Sequence, residues 1–469
     1  MSVLKQMNAL TIAAACALCL ASGGSRAEPA PAAPAVEAVL AGHAAIPATG
    51  AVKAPGDAGV FFATAGKFAN ARRQRNEQLG SEAANTFVGD AKYPRASGGT
   101  LPMKGQSVQG FSGIVSAGNG QFLVLTDNGF GNKVNSQDAL LMVHTVSVNW
   151  SKGQAVRRST TFLSDPNKRV PFHIQNENTA RRYLTGIDFD PESIQVVGNE
   201  WWIGDEFGPY ILRTDFQGRV LGVIETIVNG KLLASPDHYM QGRLPNLPDQ
   251  LGTALFEVRR SNGFEAMAKS PDGRKLYPMF EGPLFDAAAR GVEKLGDKTY
   301  VRINEVDVAS RRYTGKQWKY LLEEVGNVAA DFQMLDATTG LVIERDDSTE
   351  GQAPACPSEA RTDCFTRPAR FKRVYKIDLS AADADGFVRK VAYIDLTRIA
   401  NPNRLARLGP NEANFVLPHL GPEGLAIVDA THIVLVNDNN FPYSSGRVIG
   451  KPDDNELTLL DIRALVEAK

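Results

Sequence analysis

Gly421-Pro422-Glu423-Gly424-Leu425 opens a run that returns at Val436-Asn437-Asp438-Asn439. Between them lie a short apolar stretch, a break at Asp429-Ala430-Thr431, and the apolar run Ile433-Val434-Leu435-Val436. Short apolar runs bounded by turn residues read as the two strands of a hairpin. Two antiparallel strands of about six residues bring the start of the first beside the end of the second. The run therefore sets Glu423 next to Asp438.

The unit recurs. Other instances open at Gly110-Phe-Ser-Gly-Ile114, Asp190-Pro-Glu-Ser-Ile194, Gly263-Phe-Glu-Ala-Met267 and Ala330-Asp-Phe-Gln-Met334, and they return at Asp127, Glu206, Glu281 and Asp346. In chain order the polar anchors Ser112, Glu192, Glu265, Asp331 and Glu423 precede their acids by 15, 14, 16, 15 and 15 positions. A fixed spacing repeated five times points to repeated supersecondary units. Arranged radially, such hairpins gather their anchors and acids at one mouth of a central channel, as in a β-propeller. Further strand-like runs follow each hairpin, so four-stranded blades are expected, about five or six of them. Successive anchors are 66 to 92 residues apart, more than one blade needs. Long inserts are therefore expected at 229–262 and 347–370. The fold class is all-β; a β-sandwich or two stacked β-domains are the other ways to bury such strands.

Composition agrees. The 469 residues are 43% hydrophobic and 22% charged, with 43 glycines and a formal charge of −1. These are the proportions of a globular, turn-rich chain. The charge balance and the lack of interleaved basic and aromatic residues argue against nucleic acid as a partner. No apolar run reaches the ~18 residues that cross a bilayer. There is no P-loop, no G-x-G-x-x-G after a strand, no H-E-x-x-H and no G-x-S-x-G, which disfavours the corresponding enzyme classes.

The N-terminus reads as an address. Lys5, the apolar stretch Ala9–Ala21 and Ser25-Arg26-Ala27 resemble a signal peptide cleaved after Ala27. This predicts export to the periplasm or beyond. Residues 28–58, rich in Ala and Pro, are expected to form a tether, and residues 59–469 a single propeller domain. Cys356 and Cys364, eight positions apart, suggest one small disulfide loop in an exported chain, or two free thiols.

Carboxylates at a channel mouth bind hard cations through oxygen or perform acid–base work on a polar substrate. The candidates are Glu192, Asp205, Glu206, Glu265, Glu281, Asp346, Glu423 and Asp438, with Asp127, Asn128, Asn437 and Asn439 nearby. So many acids repel one another unless cations compensate. Arg213, Lys269 and Arg345 are the basic residues placed to do so. Arg345 directly precedes Asp346, so alternation sends the two to opposite faces unless a bulge intervenes. The alternative role for such acids is to cap turns at strand ends.

The ordered segments Gly110–Ile114 with Leu125–Gly129, Asp190–Ser193 with Trp202–Pro209, Gly263–Ala266, and Gly421–Gly424 with Val436–Asn439 resemble the phytase-like esterase family of exported bacterial proteins. The resemblance runs from about residue 105 to the C-terminus. It implies a β-propeller, an esterase or phosphatase acting on phosphoric esters, and Ca²⁺ at the mouth. Glu192, Glu206, Glu265 and Glu423 would then be ligands or the general base. Asp127, Asp205, Glu281, Asp346 and Asp438 would complete the metal shell, and Arg213, Lys269 or Arg345 would steady a phosphate. A lactonase-like or carboxylic-ester propeller using Asn128, Asn437 and Asn439, and a non-catalytic binding propeller, are the competing readings.

Overall fold

The computed structural model describes residues 32–70, 74–241, 256–286 and 288–469, and in it the expected hairpins each become the inner half of a four-stranded blade. The first strand, β1 (Val39–Ile46), stands apart in sequence from the rest. The first blade is β2 (Phe111–Gly118), β3 (Gln121–Thr126), β4 (Met142–Asn149) and β5 (Gln154–Phe162). The second is β6 (Pro191–Val197), β7 (Glu200–Asp205), β8 (Tyr210–Asp215) and β9 (Val220–Glu225). The third is β10 (Ala266–Lys269), β11 (Lys275–Met279), β12 (Lys298–Asp307) and β13 (Arg312–Leu321). The fourth is β14 (Asn327–Met334), β15 (Thr339–Asp346), β16 (Lys372–Asp378) and β17 (Arg389–Asp395). The fifth is β18 (Gly421–Ile427), β19 (His432–Asp438) and β20 (Asn455–Asp461), and β1 adds to it as the outer strand, antiparallel to β20. One α-helix, α1 (Arg463–Glu467), is present among the described residues.

The inner strands β2, β6, β10, β14 and β18 are neighbours in that order, and β18 closes back on β2. This ring is a β-propeller. Its core is not central but lies in the wedges between blades. Leu125, Ile194 and Ile203 fill the first wedge, and Trp202, Met267 and Leu276 the second. Ile303, Phe332 and Val342 fill the third, Ile343, Val374 and Leu435 the fourth, and Ile114, Val124 and Val434 the last. A strand packed on both faces has no polar side to present. Accordingly β14 and β18 are buried almost throughout, whereas the outer strands β5 and β13 alternate between exposed and half-buried positions over much of their length. Where the chain enters the third blade it passes so close to the end of β7 that only glycine fits. A Cβ on Gly263 would lie 2.2 Å from the carbonyl oxygen of Glu206.

One expected boundary lies outside the described residues and another changes. The expected signal peptide, residues 1–27, lies outside the described residues. The expected tether over 28–58 does not hold from Ala33 onward, because that segment belongs to the compact unit Ala33–Lys469. Its Ala-rich stretch supplies β1, whose Leu40 and Ala44 are fully buried. Small side chains suit an outer strand wedged between β20 and the next blade. The loop after β15 carries the Cys356–Cys364 disulfide.

Candidate functional site

The site is built at the mouth where each inner strand begins and each second strand ends. In four blades the inner strand opens with a β-bulge. The pairing skips Ser112 between Phe111 and Gly113, Glu192 between Pro191 and Ser193, Ala330 between Ala329 and Asp331, and Glu423 between Pro422 and Gly424. A bulge leaves one residue unpaired and re-aims its side chain. Three of the bulged residues, Ser112, Glu192 and Glu423, are expected anchors, and the end of each blade's second strand stands beside the start of its first. In ring order the pairs are Ser112 with Asp127, Glu192 with Glu206, Glu265 with Glu281, Ala330 with Arg345, and Glu423 with Asp438.

The fourth blade thus departs from expectation by one residue. Asp331 and Asp346 keep the right spacing but miss the mouth. Asp331 accepts the Leu425 N–H at 2.6 Å, tying the fourth blade to the fifth just beyond the fifth blade's bulge. Asp346 accepts the Phe371 N–H at 3.0 Å and the Thr349 hydroxyl, with Lys372 Nζ at 3.7 Å. Arg345 takes the inward position instead.

Around the mouth lies a cavity of about 330 Å³. Its lining includes Asp127, Asp190, Glu192, Glu206, Glu265, Glu281, Asp347, Glu423 and Asp438, with Arg345 as the one cationic side chain among the described lining residues. Arg345 Nη2 donates to Glu423 Oε1 at 2.7 Å and lies 3.4 Å from Glu281 Oε1. Its Nη1 donates to Asp347 Oδ1 at 2.7 Å. Burial opposes the guanidinium charge, but these carboxylates outweigh it and hold the group protonated.

One guanidinium cannot neutralise the ring. Burial, then the neighbouring carboxylates, push Glu192, Glu206, Glu265 and Asp127 well above the usual carboxylate range. Glu423 is raised as well, burial and Asp438 prevailing over the pull of Arg345. Burial raises Glu281 to about 7 and Asp438 to about 6. Without a cation, protons must hold these groups together.

Three sets each offer oxygens that all lie within 4.8 Å of one another: Asp190, Glu192 and Glu206; Glu192, Glu265 and Glu423; and Glu206, Glu265 and Glu281. They overlap into one patch of six carboxylates. An all-oxygen donor set of this kind suits a hard divalent cation. The residues present therefore fit a metal.

Of the residues expected at the site, Glu192, Glu206, Glu265, Glu423, Asp127, Glu281, Asp438 and Arg345 are brought together. Asp205 is not. It accepts the Asp190 N–H at 2.9 Å and the Gly208 N–H at 2.7 Å, bracing the turn behind the site. Arg213 lies toward the far end of its blade, where Nε and Nη2 clasp Glu200 at 2.9 and 2.6 Å and the guanidinium covers Trp202. Lys269 ends β10 away from the mouth and donates to the Val196 carbonyl at 2.6 Å. Asn437 and Asn439 spend their amides on the backbone of Asp454, Glu456, Gly110 and Asp453. Asp190 was missed, although it stands in the quoted Asp190-Pro-Glu192 segment. Asn128 Nδ2 donates to its carboxylate at 2.9 Å. Asn262, which donates to Glu281 Oε2 at 2.6 Å, carries no signal in sequence.

An uncharacterised secreted protein of Arthroderma benhamiae is 34% identical over 111 residues, 21% of this chain and 20% of that protein, so the match spans a fifth of the relative's length. Among solved structures, a luciferin-regenerating enzyme aligns over 81% of this chain and 92% of its own at 9% identity and a TM-score of 0.34. Hydrazine synthase of Kuenenia stuttgartiensis aligns over 71% and 78% at 13% identity and a TM-score of 0.28. Alignments this loose bear no weight, and the fold rests on the blades themselves. Residues 106–441, most of the chain and every blade except β1 and β20, match the model of the phytase-like family, described as having the esterase-like activity of phytase, and the chain belongs to that family.

Proposed function

We propose that this protein is an exported, calcium-dependent hydrolase of phosphoric esters. The observation that carries the reading is the patch of six buried carboxylates, whose oxygens gather within 4.8 Å in three overlapping sets. Membership of the phytase-like family supports an ester as substrate, and the Cys356–Cys364 disulfide supports an oxidising compartment. Glu192, Glu265 and Glu423, with Asp190, Glu206 and Glu281, would hold the cation. Bound calcium would supply a Lewis acid that polarises phosphoryl oxygens and acidifies water.

The chain's own groups do the rest. Arg345 fixes Glu423 and Asp347, so the mouth keeps its shape when charge changes. Glu281, one of the carboxylates that would hold the cation, lies 3.4 Å from Arg345 Nη2. Asn262 fixes one of its oxygens. Burial of the ring keeps bulk water from screening these charges.

The test is hydrolysis of p-nitrophenyl phosphate, bis-p-nitrophenyl phosphate and p-nitrophenyl butyrate after EDTA stripping, with and without added Ca²⁺. Calcium-dependent phosphate-ester turnover, lost in Glu192→Gln/Glu423→Gln, is expected. Turnover of the butyrate alone would replace the reading with a carboxylic-ester hydrolase. No turnover, with calcium still raising Tm, would leave a binding propeller.

A further inference from the structure

We infer that the site takes a phosphoric ester carrying a single anionic head and an aryl-like leaving group, with the head at Arg345 and the ring against Phe87. This rests on the hydrolase reading above and names its substrate class. Two independent observations point the same way.

The first is charge. Nine carboxyl groups line the cavity against one guanidinium among the described residues. Arg345 has both Nη groups engaged, but its Nε is buried and has no acceptor. That atom is enclosed by protein, so Arg345 would draw an anionic head by its charge, which the low-dielectric surroundings strengthen. Cations held by the six-carboxylate patch leave Asp127, Asp347 and Asp438 on the wall. A second or third phosphate on the substrate would meet these acids and find no further cationic side chain. Like-charge approach of this kind selects against polyanions.

The second is an aromatic rim. Strands Glu82–Asn85 and Ala96–Leu101 form a hairpin, and its tip carries Phe87. Phe87 lines the cavity and is 54% exposed, so its ring presents an open face beside the carboxylates. Its ring packs against Tyr443 at a centroid distance of 4.8 Å. The hairpin tip is anchored where Thr86 N donates to the Arg95 carbonyl at 2.8 Å, while the Arg95 side chain pairs with buried Glu350. A fixed, half-exposed ring beside a carboxylate cavity is a stacking surface for another ring. The hairpin precedes residues 106–441, the part that matches the family.

The experiment measures binding of phenylphosphonate, methylphosphonate and a hexane-bridged bisphosphonate to the calcium-loaded protein by calorimetry, for wild type, Phe87→Ala and Phe87→Tyr. Phenylphosphonate is expected to bind about tenfold tighter than methylphosphonate. Phe87→Ala should bring the two within about twofold, Phe87→Tyr should keep the gap, and the bisphosphonate should gain nothing over methylphosphonate. Equal binding of phenyl and methyl ligands, a gap that survives Phe87→Ala, preference for the bisphosphonate, or no binding at all would each overturn the inference. Turnover of phenyl and methyl phosphate separates the two levels. Equal turnover sinks the substrate class and leaves the hydrolase. No turnover with a Phe87-dependent phenyl preference in binding sinks the hydrolase and leaves the aryl site.

Discussion

A carboxylate's neighbours decide whether it stabilises or strains the fold, and two acids of this protein make opposite cases. Glu206 is buried against Glu281 and Asp190, which with burial raise its pKa well above the usual value. A carboxyl raised on folding costs stability once pH exceeds its unfolded value of ~4.3, and the cost grows until the folded group has titrated. Glu206→Gln should therefore stabilise the EDTA-treated protein by roughly 1–3 kcal/mol at pH 8 and by almost nothing at pH 4. Asp346 is held below its ordinary value, because Lys372, Thr349 and two backbone N–H groups outweigh its burial. Its contribution is present above pH ~4 and fades below. Asp346→Asn should cost about 1–2 kcal/mol at pH 8, with or without calcium. Urea unfolding at the two pH values checks both. The same pair shows what the sequence could reveal. Constant spacing exposed seven ring acids, because spacing survives translation into a hairpin. It could not decide between Asp331 with Asp346 and Ala330 with Arg345, which share one spacing. A bulge makes that choice, and a bulge leaves no mark in residue type. Arg213 and Lys269 were chosen by charge alone, and charge says nothing about which end of a strand a residue occupies.

At the level of the element, the bulges are what convert plain blades into a site. Each lifts one residue out of the ladder, an acid or hydroxyl in three blades and Ala330 in the fourth, and the amides beside it then need partners. In the fifth blade that partner is Asp331, which also accepts the Phe332 N–H and is pushed by burial to about 8. Asp331→Ala leaves the Leu425 N–H buried without an acceptor and releases the strand that carries Glu423. The expected loss is about 2–3 kcal/mol of stability, together with weaker calcium binding although Asp331 lies outside all three oxygen sets. Calorimetric calcium titration of Asp331→Ala beside Asp331→Asn checks this. If both variants bind calcium as wild type does, the bulge does not depend on the inter-blade bond.

For the whole molecule, ring closure decides stability, and it falls to the two ends of the chain. β1 completes the fifth blade, and a buried network fastens it there. His43 Nε2 lies 2.9 Å from Glu456 Oε2, which also accepts from Arg447 Nη2 at 2.6 Å. His419 stands between Asp453 and Glu456 at 3.2 Å from each. Deleting residues through Ile46 should therefore abolish a single cooperative unfolding transition, since one edge of the fifth blade and one wedge would open together. The network also makes closure sensitive to pH. Burial disfavours the charge on His419, but Glu456 and Asp453 overcome it and raise the group to about 9. A histidine raised from an unfolded value of ~6.5 contributes fully below that value and loses its contribution as pH climbs through the folded value. The stability difference between wild type and His419→Gln should thus be largest at or below pH 6.5, on the order of 3 kcal/mol, and shrink toward zero by pH ~10. Running both proteins with calcium bound keeps the ring carboxylates out of the comparison. A difference that stays constant from pH 6 to 10 would mean that His419 is neutral in the folded protein and that closure rests on Arg447 and His43 alone.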